Sequence, residues 1–132
     1  SPGAPPGTGL DIHLEVWKDQ EELLDSRIRG QRKRESTVFG VPDPASGRQL
    51  RFLIYGDYSA GPTYFGRLEV AEGRWGPESE VLESVIADWE LAPGLPGRWE
   101  RTTQTTDGHT LLVRVSLRKD LASLSPQRLR SR

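Results

Sequence analysis

Apolar and polar residues alternate in several places along this chain, most regularly in His109–Lys119, HTLLVRVSLRK. There Leu111, Val113, Val115 and Leu117 stand at period two, with Arg114 and Ser116 between them. That period sends the branched side chains to one face of a strand, and predicts a central core strand. Asp107-Gly108 stands just before it and suits a two-residue hairpin turn, whose central positions both take φ > 0. The preceding Arg98–Thr106 is polar but threonine-rich and predicts the partner strand. A strict two-residue loop sets Gln104, Thr102 and Glu100 beside Leu111, Val113 and Val115 and turns Trp99 away from the Leu/Val row. A longer loop, a bulge or a solvent-edge position would each resolve that conflict, because a one-residue slip reverses every side chain.

The same patterning places the other elements. Ile12, Leu14 and Val16 alternate with His13 and Glu15, a first strand ending near Trp17. Lys18–Asp25 fits either a helical turn around Leu23 and Leu24 or the far end of a hairpin. Ser36–Val41 reads as a short strand, and Pro42–Gly47 as a turn. In Gln49–Gly56, Leu50, Phe52 and Ile54 share one face and Leu53 and Tyr55 the other, which predicts a strand inside the sheet or covered on both sides. Thr63–Val70 reads as a further strand, with Gly66 in its interior marking a bulge or close backbone contact. Glu72–Pro77 reads as a turn carrying Trp75. Ser79–Leu91 supports two periods; the reading is a helical turn through Ser84 and a strand from Val85 to Leu91.

Composition narrows the classes. The chain has 132 residues, 34% of them hydrophobic, with 14 Gly and 10 Pro. This bounds it to one lean domain rich in turns and short strands. Residues 1–10 form a Pro/Gly-rich flexible arm, 11–125 the β-rich globular domain and 126–132 a basic tail. A net charge of −1 confines any nucleic-acid role to a local patch. The absence of cysteine excludes disulfides, thiolate zinc sites and thiol catalysis. The opening SPGAPPG, in a sequence without Met, reads as an excised soluble piece of a longer precursor.

No catalytic constellation emerges. His13 lies on a polar strand face and His109 beside a turn, and each reads as a solvent-exposed histidine without partners. The acids between Glu78 and Glu90 read as a solvated face. Calcium loops, phosphate loops and a nucleophile elbow are absent, so neither a metal nor a cofactor is expected. The chemistry that stands out is a basic run, Arg27, Arg29, Arg32, Lys33 and Arg34. It could contact phosphates, but reads first as a hairpin arm whose charges oppose edge-to-edge aggregation. Trp17, Trp75, Trp89 and Trp99 could stack on bases; core filling is the first reading, above all for Trp89. Trp75, between turn glycines, and Tyr58, in a loop, are the candidate partner contacts.

The second half resembles the globular head of a type IV minor pilin or a type II secretion pseudopilin. The residues concerned are Leu50–Tyr55, Tyr64–Leu68, Val81–Trp89 and Leu111–Leu117, followed by the arginine-rich Arg128–Arg132. The resemblance covers roughly residues 48–132. The apolar N-terminal helix and the cysteine pair of such heads are missing, and the first 47 residues match nothing in them. It implies a pilin-head-like fold, mainly β, or α+β at most: an antiparallel sheet with short helical turns, about two-fifths strand. It also implies a non-enzymatic structural or assembly subunit of a surface filament or secretion pseudopilus. Its partners would be other pilin or pseudopilin subunits, and DNA if it serves DNA uptake. The place would be the cell surface or periplasm, with membrane contact only through a segment not in this sequence. The alternative from the residues themselves is a small β-barrel or sandwich binding module for nucleic acid.

Overall fold

Strand structure extends further along the chain than the alternation of apolar and polar residues suggests. The computed structural model describes residues 9–32, 34–43, 47–56, 66–75, 81–92 and 94–119. These form β1 (Leu10–Lys18), β2 (Glu21–Gln31), β3 (Ser36–Asp43), β4 (Arg48–Gly56), β5 (Gly66–Trp75), β6 (Val81–Leu91), β7 (Gly97–Gln104) and β8 (Thr110–Lys119). More than half of the chain is strand, above the two-fifths expected. Among the described residues there is no helix, so the helical turns of a pilin-like head are not found.

The strands make two four-stranded antiparallel sheets, ordered β2-β1-β8-β7 and β3-β4-β5-β6. Neighbours in sequence pair within each sheet, and β1 pairs with β8 along its whole length, Leu10 opposite Lys119 through Lys18 opposite Leu111. The order is that of an up-and-down barrel opened along two seams, β2/β3 and β6/β7. The two inner faces supply the core. Leu10, Ile12, Leu14 and Val16 of β1 meet Leu111, Val113, Val115 and Leu117 of β8. Leu50, Phe52 and Ile54 of β4, Leu68 and Val70 of β5, Leu91 of β6 and Trp99 of β7 complete it. Each such side chain contributes about 1.5–3 kcal/mol through removal from water.

The register answers the conflict over Trp99. The turn between β7 and β8 is the longer Thr105–His109 loop, so Gln104 faces Thr110 and Trp99 faces Val115. Trp99 therefore points into the core and meets Trp89 edge-on, at 5.4 Å between ring centroids. The Thr105 hydroxyl accepts the His109 N–H at 2.9 Å and donates to Asp107, closing the loop without a two-residue turn.

Other boundaries also move. Leu10 belongs to β1 and is buried, not part of an arm, because its side chain faces Gln31 inside the sheet. Lys18–Asp25 is the hairpin alternative, turning at Asp19 with φ 54. β3 runs past Val41 through Pro42 to Asp43; as an edge strand it tolerates a proline. Residues 44–46 and 63–65 lie outside the described residues. Gly66 opens β5 instead of bulging inside it, and the register shift falls at Val70/Ala71. β5 continues through the expected turn to Trp75, and β6 begins at Val81 where a helical turn was expected. The physical reason is pairing: β6 gives β5 its second hydrogen-bonded neighbour, and Glu83 and Asp88 reach Arg51 and Arg67 across the sheet. Leu53 and Tyr55 sit on the outer face of β4, with Tyr55 exposed, so that strand is inside its sheet but covered on one side only.

Polar clamps tie the sheets together. Glu72 of β5 is buried; its Oε2 accepts Arg48 Nη1 at 2.9 Å and its Oε1 accepts the Thr106 N–H at 2.8 Å. Arg48 also donates to the Thr106 hydroxyl, so the β7–β8 loop is fastened to the other sheet. Thr103 donates to the Ile86 carbonyl at 2.9 Å across one seam. At the other, Gln31 Nε2 donates to the Glu35 carbonyl at 2.9 Å. Burial pushes the Glu72 carboxyl up, but the Thr106 N–H and hydroxyl and the Arg48 guanidinium more than offset it, leaving it below the usual glutamate value.

Val113→Asp should unfold the domain. It places an unpaired carboxylate in a fully buried row, and such burial costs several kcal/mol against a total stability of roughly 5–15 kcal/mol; wild-type thermal unfolding would show that β8 is not central. Glu72 adds a pH dependence. Its folded-state pKa lies below the ordinary 4.5, so the unfolded chain takes up the proton first on acidification. The stabilisation is complete above that ordinary value and is lost as pH falls through the folded one. Glu72→Gln should cost about 1–3 kcal/mol at neutral pH and flatten this acid limb, measured by urea unfolding from neutral to acidic pH.

Candidate anion-binding site

The alternation that fills the core also decides what the outer face of the first sheet carries. With Ile12, Ile28 and Leu117 turned inward, the residues beside them turn outward. Cross-strand register aligns them in rows. Arg27, His13, Ser116 and Arg98 form one row across all the strands of the sheet. Asp11 and Arg118 stand opposite each other in the next row toward the strand ends, with Arg29 beside them on β2. Together with Pro96, Gly97, Ile12, Ile28 and Leu117, these residues line a cavity of about 530 Å³.

Asp11 organises one end of it. The register of β1 and β2 shifts between Leu10 and Ile12, and Gly30, at φ 65, occupies the left-handed conformation there. Its N–H donates to Asp11 Oδ1 at 3.0 Å, while Asp11 Oδ2 lies 3.6 Å from Arg118 Nε. Arg27, Arg29 and Arg98 have no such carboxylate; among the described residues none of them has an ion-pair partner. The lining thus carries four guanidinium groups and one carboxylate.

On the side toward the strand middles the sign reverses. The adjacent row is Asp25, Glu15, Arg114 and Glu100. Arg114 Nε holds Glu100 at 2.9 Å and its Nη1 lies 3.8 Å from Glu15. His13 stands at the boundary: Nε2 lies 2.6 Å from Asp25 Oδ1 and Nδ1 3.9 Å from Glu15 Oε1. His13, Glu15 and Asp25 bring one ligand atom each within 4.8 Å of one another. The carboxylates address opposite nitrogens of the ring, however, and only the Asp25 contact is within hydrogen-bond distance.

The histidines are therefore not the partnerless groups expected. His13 is half-buried and paired, and His109 Nδ1 lies 2.8 Å from Asp19 Oδ2. The hydrogen bond from His109, with the Thr110 N–H, holds the Asp19 carboxyl below its usual range. The basic run is divided. Arg27 and Arg29 face the cavity from β2, an edge strand as the aggregation-guard reading required; Arg32 and Arg34 lie in the β2–β3 connection; Lys33 falls outside the described residues. Tyr58 also falls outside them. Trp75 ends β5 opposite Val81, and its side chain is not among those described. Trp89 and Trp99 pack in or against the core, as expected. Sequence reasoning missed Arg98 and Arg118. The available signal was their phase: Arg98 precedes the inward Trp99, and Arg118 follows the inward Leu117.

Asp11→Ala should cost about 1–3 kcal/mol, because it leaves the Gly30 N–H without its acceptor; unchanged urea unfolding would show that the bulge holds without it. Set against protein-family models, curated proteins and solved structures, the chain matches none of them.

Proposed function

We propose that this domain is a non-enzymatic binding module that holds a phosphate-bearing ligand on the outer face of its first sheet. The observation that carries the reading is the set of cavity-facing arginines, Arg27, Arg29 and Arg98, that no carboxylate of the described residues neutralises. Guanidinium groups present a planar fork of donors that matches phosphate oxygens, and they pair bidentately where a lysine would act as a point charge. The Ser116 hydroxyl, in the same row, adds a donor between the two edges. Among the described residues no nucleophile faces the cavity with a free base beside it: Ser116 neighbours His13 across β1 and β8, but both His13 nitrogens are turned to carboxylates.

The reading comes closest to the nucleic-acid module that the residues alone suggested, with the basic patch rebuilt from β2, β7 and β8 instead of one run. The filament-subunit reading has its own support in the exposed Val38, Tyr55, Leu82 and Val85 of the second sheet, which offer protein contacts. One set of variants separates the two. Binding of inorganic pyrophosphate, single-stranded DNA and duplex DNA is measured across a salt series for wild type, Arg27→Gln with Arg98→Gln, and Arg67→Gln as a control on the other sheet. The expected result is binding of at least one anion, weakened tenfold or more by the double variant and unchanged by the control. No binding of any of them, with self-association lost in Leu82→Ser with Val85→Ser, would favour the filament subunit.

A further inference from the structure

We infer that the cavity accepts a compact organic diphosphate of nucleotide size, not a length of nucleic acid. This rests on the phosphate-binding reading above and narrows it to one ligand class. Size is the first argument. A volume of about 530 Å³ falls in the range of small-ligand pockets, roughly 300–1,000 Å³. The cavity spans the sheet from β2 to β7, which at about 4.8 Å per strand is roughly 14 Å. Arginines stand at both ends of that span, Arg27 and Arg29 on β2 and Arg98 on β7, so a ligand seated between them lies next to both sets.

The second argument is the row beside it. Asp25, Glu15 and Glu100 lie one outward position along the strands, about 7 Å from the arginine row. A polyanion extended along the strands would leave the arginines and meet these carboxylates. Only Arg114 stands among them, and it is already engaged by Glu100 and Glu15. This acidic border closes the basic surface on one side and does not penalise a ligand that ends inside the cavity.

Charge supplies the third. Four arginines less the one carboxylate of Asp11 leave three positive charges in the lining. A diphosphate monoester carries between about two and three negative charges at neutral pH and so complements the site more fully than a single phosphate of about −1.5 to −2. Pro96 and the planar guanidinium groups give the organic part apolar and stacking surface.

The test uses the full chain and calorimetric titration with ADP, AMP, inorganic pyrophosphate and oligothymidylates of increasing length. ADP should bind at least tenfold more tightly than AMP. Arg27→Gln and Arg98→Gln should each lower ADP affinity tenfold or more with an unchanged circular dichroism spectrum, and pyrophosphate should compete. Oligothymidylate affinity should not grow with length, and its dependence on salt should stay shallow. Affinity that rises with length, with a steep logarithmic salt slope, would overturn the compact site while leaving the phosphate reading standing. Equal binding of AMP and ADP would overturn the diphosphate assignment. Failure of every anion to bind would overturn both readings.

Discussion

Everything in this molecule depends on β1 lying against β8. The pairing joins the first described strand to the last, Leu10 to Lys119 and Lys18 to Leu111, and turns a meander into a structure with an inside. Without it β1 and β2 would form a hairpin with one bare apolar face, and isolated hairpins are marginal in water. With it, two rows of branched side chains meet across a sheet and pack onto Phe52 and its neighbours. The contact spans most of the chain, so its loop-closure entropy must be met before burial repays it, which places this fold among the slower-folding β topologies.

The arginine cavity is the reverse side of the same pairing. Whatever register sets Ile12 opposite Leu117 also sets His13 opposite Ser116 and Asp11 opposite Arg118. The β7–β8 register then adds Arg98 to that row, and the β1–β2 register adds Arg27. Apart from Pro96 in the β6–β7 connection, a site built this way is positioned by strands alone. Its backbone positions are set by the same strand ladders that align the core.

The core was legible in the sequence wherever one face is apolar and the other polar, as in Ile12–Val16 and most of Leu111–Leu117. It was less so where the pattern supports two periods. Val81, Leu82, Val85, Ile86 and Trp89 fit a helical stripe as well as a strand, and only pairing with β5 decides between them. Glu72 misled for a different reason: among glycines it reads as a turn residue, whereas Arg48 and Thr106, distant in sequence, make it a buried clamp. The site was half legible. Arg27 and Arg29 stood out as part of a run; local phase gives the face of Arg98 and Arg118, but the row each joins depends on a cross-strand register that no local pattern records. The partners of His13 were invisible for the same reason, since Asp25 arrives from the neighbouring strand.

The two seams have a consequence of their own. A closed barrel has no free rim, but among the described residues β2, β7, β3 and β6 are each paired with a strand on one side only, leaving an edge on which another chain could continue the sheet. Each rim carries its own deterrent. β2 has Glu21, Glu22, Asp25, Arg27 and Arg29; β7 has Arg98, Glu100 and Arg101; β3 has Pro42, which lacks an amide hydrogen; β6 has Glu83, Asp88 and Glu90. The charges that make the outer faces polar are therefore also of the kind that opposes edge-to-edge pairing. Arginines 27, 29 and 98 both line the cavity and stand on open rims, so a substitution made to test the cavity also removes a charge from a rim.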